Sequence, residues 1–469
     1  MSAPNKNPIK KGLIWNSISN FSRYGLMLIS TMVLARLLTP DDYGLIGIIS
    51  VFIAVAEIIT SAGLGGAVIK KINTSDIDFS TLTTYNLGVS ISIYLIFYFI
   101  APFIADIYSK PIIESLIRIY SLVIPIHAFS IAPQVSLTKE LKFKTLSIIH
   151  LLGGISGLCT AIILAKNNFG VYSLIGQYLT QATIVSVLLL YTSKYKVKFG
   201  FSKACFKEQF SFGFNTTLAS ILKSFSENII GNIIAKTSSI TQTGYYTQSN
   251  RLVHVPQNFF FNLIDHTFFP VLSQIEDRAQ FTQRTRKLNE RTNLILIFLF
   301  GIAIICCKEL IYFLLGEKWM DAEWTLTILL YSGTFICLSN IGRNVLKCLG
   351  LTQQILFVEI KMFILIITAL LIGYIFNSYR LILLSYLVCC TIKATYINFL
   401  AGKQINIKFK EQIMSYGKMI LPVSILIILL NDINISSIII LNGIIKSIIY
   451  IILSLAYIWI MKKYNLLKI

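Results

Sequence analysis

The chain alternates long apolar stretches with short polar ones over its whole length. Fourteen of these stretches approach the ~20 apolar residues that a helix needs to cross a bilayer. They cover residues 14–37, 44–67, 82–104, 115–137, 144–165, 169–191, 211–234, 245–270, 293–315, 324–346, 354–376, 380–400, 413–430 and 436–460. The pattern predicts an all-α polytopic membrane protein with about 14 transmembrane helices.

Three of the spans follow a short basic and amphipathic stretch, and these stretches recur at intervals of about 200 residues. They are 9–13, 206–210 and 409–413, and six spans lie between one and the next. An even number of crossings preserves orientation. We therefore expect two six-helix lobes related by a pseudo-two-fold axis along the membrane normal, followed by two extra C-terminal helices. The predicted boundaries are 1–193, 194–402 and 403–469.

Composition supports the membrane assignment and sets the orientation. Hydrophobic residues make up 55% of the chain and charged residues 13%, against roughly 25% in soluble domains. The net charge of +20 does not indicate nucleic-acid binding, because most Lys and Arg collect in alternate segments such as 6–11, 194–207 and 278–291. The positive-inside rule then predicts that both termini are cytoplasmic.

The sequence lacks the motifs of several enzyme classes. The eight cysteines show no metal-ligand spacing, and we interpret them as small apolar fillers. The four histidines form no ligand cluster, and we interpret them as packed or hydrogen-bonded residues. No Walker-type phosphate loop is present, which argues against ATP hydrolysis. We expect no cofactor and no metal. If the chain transports a substrate, the energy would come from a gradient of H⁺ or Na⁺, from the membrane potential, or from consumption of the product.

Polar residues lie along one face of the first predicted span. Asn16, Asn20 and Arg23 share that face, and Lys223 repeats the cation 200 residues later. A charge at the bilayer centre costs about 2.5–3.5 kcal/mol, so such a residue usually faces a partner or a cavity. Arg23 has no acid within one helical turn. Lys223 has Glu227 four residues on, so an internal ion pair and a binding role both stay open for it.

Further polar residues occur in the second, eighth and tenth spans. The candidate substrate-binding residues are Arg23, Lys223, Arg251, Arg343, Asn16, Asn20, Asn258 and Asn262. The candidate ion-coupling residues are Glu57, Glu227 and Asp265. For Arg251 and Arg343, the alternative is that the side chain reaches the interface from near a helix end.

Predicted membrane segments hold more bases than acids. Among these charges, we expect Lys361 to pair with Glu359 or to reach the interface, and we assign Glu309 to an outer loop. The surplus of positive charge favours an anionic cargo such as a phosphate or an acidic sugar. Arginine suits phosphate especially well, because its planar guanidinium can donate two hydrogen bonds at once.

Three segments resemble one family of membrane transporters. They are GLIWN at 12–16 with Arg23, LARLLTPDDYG at 34–44, and PQVSLTKELKF at 133–143. The last is similar to a Pro-x3-Leu-x-basic-x-Leu-x-Phe signature, with Lys139 at the basic position. Together they resemble the Wzx-type polysaccharide exporters, in the colanic-acid-exporter-like branch of the multidrug/oligosaccharidyl-lipid/polysaccharide flippase superfamily.

The resemblance implies a function and a set of partners. The expected function is to move an undecaprenyl-diphosphate-linked oligosaccharide (O-antigen, capsule or exopolysaccharide) across the bacterial inner membrane, by alternating access through a cationic cavity. The lipid bilayer is the second partner, and a glycan polymerase with its chain-length machinery is a further candidate. Lipid II flippases of the superfamily use an arginine in the first helix, a position that Arg23 matches.

Two alternatives remain at this point. One is an ion-coupled multidrug antiporter of the same fold, for which an acid-rich interior would be expected. The other is a membrane glycan polymerase or ligase, for which a large catalytic outer loop would be expected. The surplus of bases and the short loops favour the flippase over both.

Overall fold

The computed structural model describes residues 6–407 except 62, 72, 196, 273, 274 and 276, and also 410–411, 417, 424–427, 429–430 and 439–463. Regular structure in this part of the chain is helical. The α-helices are α1 (Lys6–Leu37), α2 (Pro40–Ser61), α3 (Leu64–Lys70), α4 (Asp76–Ile107), α5 (Ile112–Tyr120), α6 (Val123–Lys139), α7 (Phe143–Lys166), α8 (Tyr172–Thr192), α9 (Lys203–Thr237), α10 (Ile240–Leu272), α11 (Arg278–Ile305), α12 (Cys307–Leu314), α13 (Glu323–Cys348), α14 (Thr352–Ile375), α15 (Tyr379–Gln404) and α16 (Ile439–Lys463). A short 3₁₀ helix, Glu317–Ala322, precedes α13.

Three predicted spans are each divided into two helices. The second span becomes α2 and α3, which meet at Gly63 with a positive φ of 65° that glycine adopts without strain. The fourth becomes α5 and α6, and the ninth becomes α11 and α12 with a break at Cys306. The sequence pattern found these spans but not their internal breaks.

Ten segments of the described chain are long and apolar enough to cross a membrane. Helices α1, α9 and α10 are not among them, although they are 32, 35 and 33 residues long, because polar residues interrupt them. The predicted span 413–430 falls mostly outside the described residues. The predicted all-α polytopic membrane fold is confirmed, and the long helices are compatible with 14 crossings.

The first compact unit comprises Met1–Gly244. In it α7 packs closely on α8, because a Cβ at Gly153 would lie 3.2 Å from the Gln181 carbonyl oxygen and one at Gly157 2.6 Å from that of Gln177. Helix α1 packs on α7, and α9 packs on α2, α3 and α4. The small residues of α7 thus set a close helix–helix distance, as they commonly do in membranes.

The second compact unit comprises Tyr245–Ile469. Helices α13 and α15 are in close contact at Gly342, where a Cβ would lie 3.2 Å from the Asn398 Cα. Helix α14 packs on α15, and α16 packs on α11 and α12. Because α9 belongs to the first unit, these units do not coincide with the predicted lobes. The division into six, six and two helices with boundaries at 193 and 402 stays a prediction.

Candidate functional site

Local capping explains one of the motifs. In the segment 34–44, the Thr39 backbone N–H and hydroxyl both donate to Asp42 Oδ2, at 2.9 and 2.8 Å, and Pro40 occupies the first position of α2. This is a capping box with proline at the first helical turn, an arrangement that starts a helix sharply. The motif therefore positions the beginning of α2 immediately after α1.

The turn at the start of α2 contacts the turn at the start of α10, which lies 200 residues later in the chain. A Cβ at Gly44 would overlap the carbonyl oxygen of Ile240, and a Cβ at Gly244 would overlap that of Pro40. The Thr241 hydroxyl donates to Asp41 Oδ1 at 2.5 Å across the same contact. We call residues 40–44 and 240–244 the glycine crossing. Two segments 200 residues apart in the chain thus form a reciprocal contact in the first unit.

The 133–143 motif makes a structural contact between helix α6 and the loop before α4. Lys139 Nζ donates to the Lys71 carbonyl oxygen at 2.5 Å and to Thr74 Oγ1 at 3.0 Å, which joins the end of α6 to the loop before α4. Lys71 in turn pairs with Asp78 at 2.9 Å and Glu208 at 3.3 Å. The hydrogen bond to Asp78 raises the pKa of Lys71. Lys139, the basic residue of the signature, thus connects the end of α6 to the loop before α4.

Arg23 lies on α1 with an exposed side chain. No carboxylate among the described residues lies within ion-pair distance of it. Ser30, two turns farther along α1, is buried and accepts a hydrogen bond from Gln177 Nε2 at 3.0 Å. Helix α1 therefore carries an exposed cation at Arg23 and a structural contact with α8 at Ser30.

Arg23 belongs to a group of titratable side chains in the first unit. His127 Nε2 lies 3.9 Å from Glu57 Oε1, and these two side chains are 43% and 44% exposed. His150 is within electrostatic range of both Arg23 and His127. We call Arg23, Glu57, His127 and His150 the N-terminal polar cluster. It draws on α1, α2, α6 and α7.

Sequence reasoning found half of this cluster. The sequence predicts binding or coupling roles for Arg23 and Glu57, which are charges in apolar spans, and packed or hydrogen-bonded roles for His127 and His150. A usable signal was present, since His127, Ser130 and Gln134 share a helical face. What the sequence did not show is that this face meets Glu57 of α2.

In the second unit, Arg343 of α13 lies in an ion-pair group with residues of α14 and α15. Its Nη2 donates to Glu359 Oε1, and Lys393 Nζ donates to Glu359 Oε2 at 2.8 Å. Of the two alternatives for Lys361, pairing with Glu359 is not the one adopted, because Lys361 Nζ donates to the Tyr396 hydroxyl at 3.2 Å. Arg343 is therefore part of a two-base, one-acid group.

The assignment of Glu309 to an outer loop is wrong. Glu309 lies in α12, is 6% exposed, and pairs with Lys446 of α16 at 3.3 Å. Asn442 Nδ2 donates to the same carboxylate at 3.1 Å. An acid counted as external thus neutralises an internal base, and the surplus of positive charge is smaller than the sequence suggested.

The structure describes the remaining predicted site residues less completely. Arg251, Asn258 and Asn262 are half-buried on α10. Helices α1, α9 and α10 carry the other five, whose side chains lie outside what the structure describes: Asn16, Asn20, Lys223, Glu227 and Asp265. Their binding and coupling roles stay predictions, as does the offset match of Lys223 with Arg23.

Comparison with known proteins adds a family and a fold. A family model described as polysaccharide biosynthesis protein matches residues 33–323. The succinoglycan biosynthesis transport protein ExoT of Rhizobium meliloti is 23% identical over 332 residues, covering 70% of this chain and 67% of that protein. The lipopolysaccharide biosynthesis protein WzxC of Escherichia coli is 24% identical over 342 residues, covering 70% and 68%.

A solved structure shares the fold over nearly the full length. The inward closed conformation of the lipid II flippase MurJ aligns with a TM-score of 0.75 at 15% identity, and covers 97% of this chain and 100% of that one. At this identity the likeness establishes the fold, and the residues above must support any statement about the site.

Proposed function

The chain belongs to the family of polysaccharide biosynthesis proteins and is a membrane transporter rather than an enzyme, and we propose that it flips an undecaprenyl-diphosphate-linked oligosaccharide from the cytoplasmic to the periplasmic leaflet. The relatives named above support the glycan part of this proposal. The fold shared with a lipid II flippase supports the lipid-linked part. The proposed location is the bacterial inner membrane, with both termini cytoplasmic.

The observation that carries the proposal is the state of Arg23. A cation in a membrane-spanning helix is costly, and most such residues are paired. Arg23 is exposed and has no carboxylate partner among the described residues, so its guanidinium is available to an anion. A diphosphate with its lipid tail still in the bilayer would satisfy this charge, and two parallel hydrogen bonds would fix its orientation.

The rest of the N-terminal polar cluster supplies a candidate coupling site. His127 Nε2 and Glu57 Oε1 lie 3.9 Å apart, which is too far for a direct hydrogen bond, so proton transfer between them requires a closer approach or a bridging water. We assign them to proton coupling, with Na⁺ as the alternative ion. Loss or gain of one positive charge in the cluster that contains Arg23 would alter the affinity for the diphosphate, which links the ion to the cargo.

The glycine crossing fits alternating access. It lies at the ends of α1 and α9 away from their basic starts, which the positive-inside rule places outside. Contact between two backbones without side chains closes that end tightly. In the proposed cycle the crossing separates when the cargo is released outside.

The test is export in a cell whose surface polysaccharide depends on this chain. We expect Arg23→Ala to lower export by roughly 10- to 100-fold, since a hydrogen bond to a charged group contributes about 1.5–3 kcal/mol, and lipid-linked oligosaccharide should accumulate inside. Arg23→Lys should retain part of the activity. The matched control is Arg118→Ala, because Arg118 already pairs with Glu114 at 2.7 Å.

The result is read at equal protein level in the membrane. Normal export by the Arg23→Ala variant would refute the role of this residue. A deletion strain that keeps its polysaccharide but becomes sensitive to organic cations would instead support the multidrug antiporter.

A further inference from the structure

The second unit contains an ion-pair group whose charges do not balance. Arg343 of α13 and Lys393 of α15 both bind Glu359 of α14, so one carboxylate serves two cations. From this geometry we propose a second anion site, in which Arg343 and Lys393 bind a phosphoryl group and Glu359 is the resident counter-ion that the phosphoryl group displaces.

The other buried pair of the second unit shows what a structural ion pair looks like here. Lys446 and Glu309 are one base and one acid, with side chains only 3% and 7% exposed, and Asn442 Nδ2 donates a hydrogen bond to the same carboxylate oxygen that Lys446 contacts. Its charges cancel and no anion can reach it. The Arg343 group differs on both counts.

Its excess charge calls for an anion. With Glu359 ionised, Arg343 and Lys393 leave one positive charge unbalanced at membrane depth, where each uncompensated charge costs about 2.5–3.5 kcal/mol. Lys361, two residues from Glu359 on α14, contacts the Tyr396 hydroxyl and ring rather than an acid in the described chain. A monoanionic or dianionic phosphoryl group would offset this excess.

The group is also accessible and has a donor to spare. The side chains of Arg343, Glu359 and Lys393 are 26%, 36% and 21% exposed. Arg343 Nε is buried and makes no hydrogen bond to the described chain. Because Arg343 Nη2 and Lys393 Nζ approach opposite oxygens of one carboxylate, the same pair of donors can hold two oxygens of a phosphoryl group.

The depth of the site fits early contact with the cargo. Glu359 lies roughly 10 Å into α14 at 1.5 Å per residue, measured from the α13–α14 turn. The predicted orientation places that turn on the cytoplasmic side, where a lipid-linked glycan would be assembled. The identity of the phosphoryl group as the cargo's diphosphate rests on the proposed function, whereas anion binding itself does not.

The experiment measures binding of inorganic pyrophosphate to the full-length protein in phosphatidylcholine nanodiscs. Glu359→Gln removes the competing carboxylate, and we expect it to tighten pyrophosphate binding by about tenfold. Lys393→Gln leaves the balanced pair of Arg343 with Glu359, and we expect at least a tenfold loss. A purely structural ion-pair group does not predict changes of affinity in opposite directions.

Two controls separate affinity from folding. Thermal unfolding of each variant shows that it is folded at the temperature of the assay. The Glu309→Gln and Lys446→Gln pair changes the balanced ion pair, and should leave pyrophosphate affinity unchanged. Unchanged affinity in folded Glu359→Gln and folded Lys393→Gln would overturn the site.

Competition identifies the source of the phosphoryl group. Undecaprenyl diphosphate that competes with pyrophosphate, while phosphatidylglycerol does not, supports the cargo. Competition by phosphatidylglycerol supports a lipid headgroup at the same site. Because these assays need no export, they stand even if Arg23→Ala exports normally and the proposed function fails.

Discussion

Individual charges in this protein differ by what lies opposite them. Arg23 has no acid partner in the described chain, Arg343 shares one with Lys393, and Lys446 has Glu309 to itself. Cations in the long helices thus differ in charge balance and in exposure, and on this basis we propose binding roles for Arg23 and Arg343 and a packing role for Lys446.

The buried pair should behave as a structural unit. Lys446→Met leaves Glu309 uncompensated in an apolar setting, so we expect a loss of about 3–5 kcal/mol of stability. The double variant Lys446→Met with Glu309→Gln should recover most of it. Thermal unfolding in detergent measures both, and a single variant as stable as the parent would contradict the pairing.

Lys139 should contribute to stability rather than to binding. Lys139→Ala removes two hydrogen bonds to the loop before α4, and the charged donor makes each worth about 1.5–3 kcal/mol. We expect a lower unfolding temperature, with partial recovery in Lys139→Arg. Lys142→Ala is the matched control, since Lys142 only pairs with Glu140 on the exposed surface. Equal losses of unfolding temperature in Lys139→Ala and Lys142→Ala would argue against a structural role for the Lys139 hydrogen bonds.

Between elements, the decisive contacts are made by residues without side chains. Gly44 and Gly244 let two helix starts approach until their backbones touch, and Gly301 lets the side chain of Tyr450 of α16 pack directly against α11. Because a single methyl group would overlap backbone atoms at the glycine crossing, this contact requires glycine at both positions. In the proposed cycle, opening of this contact is the gating step.

Substitution at the crossing should therefore shift the protein toward its outward-open state. We expect Gly44→Ala and Gly244→Ala to increase labelling of a Thr241→Cys probe by a membrane-impermeant thiol reagent, and to reduce export. Gly88→Ala is the matched control, because nothing lies within 4 Å of a Cβ there. Unchanged labelling in both crossing variants would show that the contact does not gate access.

At the scale of the whole molecule, the uneven distribution of Lys and Arg should fix the orientation. Reporter fusions at residue 198 should report the cytoplasm and fusions at residue 109 the periplasm, because basic loops stay inside. Both termini should report the cytoplasm. A periplasmic signal at 198 would reverse the assignment of the glycine crossing to the outer side.

The sequence alone determined the features that depend on local pattern. Apolar length predicted the all-α membrane fold, which the structure confirms, and charge asymmetry predicted an orientation. The spans can be recognised locally because a helix must satisfy its own backbone in lipid, so each span is encoded within about 20 residues. Arg23 stood out for the same reason.

Only the tertiary structure decided which groups face each other. It gave Glu359 to Arg343 and Lys393 instead of Lys361, moved Glu309 from a loop to Lys446, and brought His127 to Glu57. These partners are 16 to 137 residues apart and lie on different helices. Hydropathy and spacing describe one helix at a time, whereas ion pairing depends on how separate helices pack.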